Sequence, residues 1–152
     1  MSHTIHHDSG VTVLELPYSS PPLTLNDRMH RMAEAKIVRE LRTLAEDLAL
    51  SVGLGQMKRP AVTLVWLVTT RHKRDEDNLV PTLKALCDGL VDAGLAEDDT
   101  PELMHKTMPI VAYAKGHHKA PGLFLTIWEQ DGPTEAEIRA VEALGARLGV
   151  AA

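Results

Sequence analysis

Apolar and polar positions change period several times along this chain, and each change marks an element. Residues 11–16 alternate apolar and polar, which predicts a strand. The run P-Y-S-S-P-P at 17–22 breaks it into an extended loop. From Asn26 or Asp27, either of which suits an N-cap, a long helix is predicted to Ser51. Its apolar positions Ile37, Leu41, Leu44 and Leu48 recur at the spacing of one buried stripe, and Gly53 and Gly55 end it. Residues 61–70 are β-branched and nearly all apolar, as in a central strand.

A second helix is expected over 79–93, capped by Asn78, with Pro81 in its first turn and Gly94 closing it. Residues 108–114 and 123–129 read as two strands joined by a long hairpin-like connection at 115–122. Thr134-Glu135-Ala136-Glu137 is a capping box opening a last helix, whose stripe is Ile138, Val141, Leu144 and Leu148. There is no internal repeat and no linker long enough to divide domains. The expected fold is α+β, a single domain over 1–152 with helices packed on a mixed sheet and a polar, mobile tail at 1–9.

Composition narrows the classes. A chain of 152 residues, 44% hydrophobic and 24% charged, is long enough to bury a core and is globular rather than disordered. Cys87 is the only cysteine, which excludes a disulfide framework or a thiolate zinc cluster and suits a reducing cytoplasm. The N-terminus lacks the apolar core of a signal peptide, and the run at 61–68 is too short to cross a bilayer, so no membrane partner is expected. The net charge of −5 does not itself favour a nucleic-acid partner. Its distribution matters more, because basic residues gather at Arg28, Arg31, Lys36, Arg39 and Arg42, at Arg71-His72-Lys73-Arg74, and around Lys115 and Lys119.

The densest chemistry lies in D-E-D-N-L-V-P-T-L-K-A-L-C-D-G-L-V-D-A-G-L-A-E-D-D, residues 75–99. Asp75 and Asp77 flank one residue, and in an extended segment both carboxylates share a face and can address one cation. The plain alternative is a solvated acidic turn at a helix start. A calcium-binding EF-hand is excluded, since Leu79 replaces a ligand and Val80 the required glycine. Lys84 and Asp88 have the spacing of a surface ion pair, with Lys84 at the edge of the stripe Leu79, Leu83, Leu86 and Leu90. The helix over 79–93 is about 20 Å long, and the five steps from Gly94 to Asp99 span at most about 17 Å. Asp99 therefore approaches Asp75 and Asp77 only if that loop doubles back along the helix. His3, His6 and His7 read as part of a solvated tail, His117-His118 as a loop, and Cys87 as a small core residue.

D-E-D-N, then L-K-A-L-C-D-G-L, then A-G-L-A-E-D-D resembles the signature of the RusA family of Holliday junction resolvases, most strongly over the middle third of the chain. The spacing from Lys84 through Asp88 to Asp99 agrees without gaps. About three residues within 79–83 are inserted between Asp77-Asn78 and the lysine. A proline-containing loop, Asn26 and a basic helix agree more loosely.

The resemblance implies a RusA-like resolvase fold and a homodimer that binds four-way junction DNA and makes paired nicks with Mg²⁺, for which Mn²⁺ substitutes. Carried onto this chain, Asp75, Asp77 and Asp99 are the metal-binding carboxylates and Lys84 the catalytic cation. Arg28, Arg31, Arg71, Lys73 and Arg74 are the expected DNA contacts. The expected function is a metal-dependent, structure-selective endodeoxyribonuclease of DNA recombination and repair. The alternatives are a catalytically inactive DNA-binding protein of the same fold, or a small-molecule phosphatase using the D-x-D. For the dimer, the apolar strands at 61–70 and 123–129, with few aromatics to cover them, are the expected contact surface.

Overall fold

The computed structural model describes residues 10–148, so the expected tail with His3, His6 and His7 lies outside the described residues. The element order is β1 (Thr12–Leu16), α1 (Arg31–Ser51), β2 (Pro60–Val68), a 3₁₀ turn (Glu76–Leu79), α2 (Val80–Asp92), β3 (His105–Lys106), β4 (Ile110–Tyr113), β5 (Gly122–Glu129) and α3 (Glu135–Leu148). This is a small α+β fold with a mixed five-stranded sheet.

β2 is its central strand, as its unbroken apolar run predicts. β5 pairs antiparallel along one edge of β2, and β1 pairs antiparallel beyond β5. Along the other edge, β3 and β4 pair parallel with the beginning and end of β2. β4 and β5 are therefore not a hairpin: they lie on opposite sides of β2, and the connection at 115–122 carries the chain across. A strand apolar on both faces needs both edges hydrogen-bonded inside the sheet, and β4 and β5 each supply one.

The pleat explains which residues are buried. Leu14 and Leu64 both lie opposite Leu125, and Val62 lies opposite Ile127. These residues face Leu41, Ala45 and Leu48 of α1 and Leu83, Leu86, Cys87 and Leu90 of α2 in one core. The chain's own helices thus cover one face of β2 and β5, that of Val62, Leu64, Leu123, Leu125 and Ile127, while Val65, Leu67, Phe124 and Trp128 on the other face are only half-buried. α1 and α2 cross closely at Gly89, where a Cβ would lie 2.8 Å from the Cβ of Ala45 and closer still to the Arg42 carbonyl. Only glycine fits there, and Arg42 reaches across the same crossing to pair with Asp92.

α1 begins four residues later than the pattern suggests. Asp27 turns back instead of capping, its Oδ2 accepting from the Thr24 amide at 2.8 Å, and His30 Nδ1 caps the helix by accepting from the Met32 amide. Asn78 likewise does not cap α2, because it lies inside the 3₁₀ turn and its amide donates to the Asp75 carbonyl. Gly94, at φ +85°, closes α2 as predicted. The capping box of α3 is reciprocal: Thr134 N donates to Glu137 Oε2 at 2.5 Å, and Glu137 N donates to Thr134 Oγ1 at 3.2 Å. α3 itself contributes no buried residue. No helix among the described residues is long and apolar enough to cross a membrane.

Candidate active site

The chain after α2 does double back. Gly94 reverses it, Leu95 and Ala96 plug into the core, and the Leu95 carbonyl accepts from the Met57 amide at 2.7 Å. From that anchor the loop runs back along the helix until Asp99 reaches Lys84, in the first half of α2. Lys84 Nζ lies 2.5 Å from Asp99 Oδ2 and 2.8 Å from Asp88 Oδ1, joining groups fifteen residues apart to an ordinary one-turn ion pair. A second lysine shares the contact: Lys106, from β3, places its Nζ 3.1 Å from the same Asp99 oxygen. Both lysines line a cleft of about 200 Å³ with Val80, Leu83, Thr107, Met108 and Pro109.

The electrostatics follow from these contacts. Hydrogen bonds from Lys84, then Lys106, hold the Asp99 carboxyl well below the usual range, at about 2. Hydrogen bonds to Asp88 and Asp99 push the Lys84 ammonium up to about 12. A depressed carboxylate stabilises the fold above its ordinary value of 3.8 and loses that contribution as pH falls through about 2. A raised lysine stabilises below its ordinary 10.5 and loses its share as pH rises through about 12. The Lys84–Asp99 link is therefore expected to contribute a constant amount between pH 4 and 10. Thermal unfolding of wild type against Lys84→Met, followed across pH, checks this: a difference that changes between pH 5 and 9 contradicts it.

Asp75 and Asp77 lie at the other end of the segment. Asp75 is extended, at φ −99° and ψ 126°, but the backbone enters the 3₁₀ turn at Glu76. The alternation expected to put both carboxylates on one face stops there, since a turn of period three does not place residues two apart side by side. Both side chains are exposed, and no hydrogen bond or ion pair engages either among the described residues. Asp75 lines a larger cleft, about 590 Å³, with Ser20, Thr24, Asn26, Trp66, Lys73, Arg74 and Asn78. The proline-rich loop forms one wall and the segment after β2 the other. Leu79 lines this cleft and Val80 the smaller one, so the two clefts flank the start of α2.

The residues inserted before Lys84 hold this arrangement together. Leu79, Thr82 and Leu83 are buried. Thr82 Oγ1 donates to the Leu23 carbonyl at 2.8 Å and accepts from the Leu23 amide at 3.2 Å, pinning the proline-rich loop to α2 across fifty-nine residues. Thr82→Val keeps the shape and leaves both Leu23 groups buried without partners, a cost of about 1–3 kcal/mol each. Chemical denaturation is expected to show a loss of about 2 kcal/mol or more, with amide exchange at Leu23 accelerated. An unchanged midpoint would show that the loop is held elsewhere.

The basic residues divide. Arg71 stacks on Tyr113 at 3.8 Å from the ring centroid. Arg74 lies over Trp66 at 5.0 Å and donates to the Thr70 carbonyl and hydroxyl. Lys73 and Arg74 face the larger cleft. Arg28 and Arg31 are exposed just before and at the start of α1, and neither lines that cleft. His117 and His118 stack on each other in the crossing loop and line neither cleft. Cys87 is buried as expected, and burial pushes its thiol up to about 12, so it is no nucleophile.

For a hard divalent cation the donor chemistry fits, because Asp75 and Asp77 offer carboxylate oxygens with no competing partner. The expected trio is not gathered, however. Asp99 is held by two lysines, and no group of three His, Cys, Asp or Glu side chains with ligand geometry occurs among the described residues. Sequence reasoning missed Lys106, whose two-residue strand gives no periodic signal, and Trp66, whose place in an apolar strand reads as core.

No protein-family model and no curated protein matches the chain. Among solved structures, the periplasmic domain of Helicobacter pylori MotB aligns with 97% of this chain and 99% of its own, at 13% identity and a TM-score of 0.35. That likeness is too slight to bear on fold or function.

Proposed function

We propose that this protein is a cytoplasmic, metal-dependent endodeoxyribonuclease that resolves four-way DNA junctions as a homodimer. The observation that supports it most is the contact between Lys84 and Asp99. The two outer residues of the gap-free part of the RusA-like pattern meet through a loop that returns along α2. Asp75 and Asp77, with Asp99, would hold Mg²⁺ or Mn²⁺, and the cation when bound supplies Lewis acidity beside the scissile phosphate.

The chain's own residues do the rest. Lys84, fully protonated at neutral pH, stabilises negative charge building on a phosphoryl oxygen rather than acting as a base. Lys106 adds a second positive charge at the same carboxylate. Lys73 and Arg74 hold the backbone in the larger cleft, and Arg71 sits against Tyr113 with its side chain already ordered for a phosphate.

One observation favours a second reading, a DNA-binding protein of this fold that does not cut: the three aspartates are not assembled as ligands. Incubating the protein with a synthetic four-way junction and with linear duplex, under Mg²⁺ and under Mn²⁺, separates the two. Paired nicks confined to the junction are the expected result. Junction binding without cleavage under either cation overturns the nuclease reading in favour of the second, and equal cutting of duplex overturns junction selectivity.

A further inference from the structure

The larger cleft holds an aromatic side chain that the proposed chemistry does not use. By the alternation of a strand, Trp66 shares the core-side face of β2 with Val62 and Leu64, but it is only half-buried and lines the cleft. Its indole N–H donates to the Ser19 carbonyl at 2.9 Å. That bond fixes the ring against the proline-rich loop and leaves only its π surface for a ligand. The Arg74 guanidinium lies over the ring, 5.0 Å from its centroid. Three of its N–H groups are committed within its own segment, to the carbonyls of Thr70 and His72 and to the Thr70 hydroxyl. An arginine so held offers a planar surface as well as charge, and Lys73 on the same cleft is the flexible cation suited to a phosphate.

Aromatic rings and guanidinium planes are the surfaces on which unstacked bases lie. The same cleft carries groups that read a base edge. Asn26 and Asn78 each offer an amide donor and acceptor, and neither side chain has a hydrogen-bond partner among the described residues. Its walls are set in advance, because Thr82 ties the proline-rich loop to α2 at Leu23. A base inside a duplex has both faces covered by its neighbours and cannot lie on a ring recessed between two walls. One that has left the stack can, and leaving is easiest where pairing is already broken, as at a branch point.

We infer that this cleft receives one unstacked nucleotide of a DNA strand, its base laid on Trp66 and Arg74 and its phosphate met by Lys73. This rests on DNA as the partner in the proposed function and not on cleavage. Asp75 lines the same cleft, so the nucleotide lies beside one of the carboxylates proposed to hold the metal. Phosphate contacts are alike on a junction and a duplex, whereas a seat for an unstacked base favours the junction.

Tryptophan emission of the full chain, in EDTA so that no strand is cut, tests it. Trp128→Phe leaves Trp66 as the sole tryptophan, and Trp128, opposite Ala61, is on the other face of the sheet. The probes are a linear duplex with a one-nucleotide bulge, the same duplex with an abasic bulge, a fully paired duplex and a four-way junction. The base-carrying bulge and the junction are expected to quench Trp66, and the abasic bulge and paired duplex to leave it bright. Trp66→Leu should weaken binding of the base-carrying bulge about tenfold, the effect of one lost base stack, without weakening the paired duplex. Trp66→Phe should keep most of that affinity. Should Trp66→Leu fail to fold, the quenching comparison decides alone. Equal quenching by the abasic bulge, or bulge binding without quenching, overturns the inference. Quenching by a free deoxynucleoside monophosphate but not by the bulged duplex also overturns it, and makes the cleft a small-molecule pocket. Binding to none of the DNAs overturns it together with the DNA reading. Junction nicking under Mg²⁺ without quenching in EDTA removes this inference alone.

Discussion

Asp75→Asn, Asp77→Asn and Asp99→Asn are each expected to abolish cleavage of a four-way junction while leaving its binding intact or tighter. A loss of at least about two orders of magnitude in turnover is expected, comparable to removing one donor from a preorganised charge-stabilising site. Binding should survive because each change removes negative charge where, on the proposed function, phosphates would approach. The structure adds a distinction among the three. Asp75 and Asp77 are exposed with no side-chain partner among the described residues, so their substitution should leave thermal stability unchanged. Asp99 holds Lys84 and Lys106 together, and its neutral replacement should also loosen the returning loop. Single-turnover nicking, gel-shift titration and a melting curve on each variant give the answer. Near-normal nicking by any of the three removes that residue from the site.

Lys84→Ala should lower turnover by about 10²–10³-fold with a much smaller effect on junction affinity, since its proposed role is to meet charge that develops only in the transition state. The chemical rate and the binding constant must be measured separately. A variant that lost affinity alone would make Lys84 a DNA contact, and the catalytic cation would lie elsewhere. Lys106 is then the nearest alternative, because it reaches the same Asp99 oxygen from the other side of the cleft, with Lys73 and Arg74 next.

Much of the fold was legible because long elements repeat their signal. The stripe of α1, the apolar run of β2 and the leucines of α2 each have enough residues for the period to show. What was hidden depends on tertiary context. β3 is two residues long and exists because β2 offers a free edge beside it. β4 and β5 look like a hairpin in sequence, and only the needs of the central strand send them to opposite sides. In the site, a loop doubling back was legible as the condition for Asp99 to approach Asp75 and Asp77; the loop does double back, but it brings Asp99 to Lys84 and not to those two carboxylates. The sharing of a face by Asp75 and Asp77 was inferred from extended backbone, and the 3₁₀ turn removed it. The stripe of α3 was correctly located, but sequence periodicity reports that a face is apolar, not whether the same chain covers it.

The strand order has a consequence for how this protein is made. Among the described residues β1 has one hydrogen-bonded neighbour, and that neighbour is β5, the last of the described strands to be synthesised, with Leu14 opposite Leu125. At ordinary translation speeds roughly 5 to 20 seconds pass between the two. During that interval the nascent chain carries two apolar strands, β1 and β2, that lack the partner joining them, and no N-terminal portion ending before Gly122 can close the sheet. Folding must await the 122–129 segment and is dominated by pairings distant in sequence, which places this chain among slower, late-folding topologies. Until β5 arrives, both strands present open edges to any neighbouring polypeptide, and chains terminated early are the species most prone to aggregate.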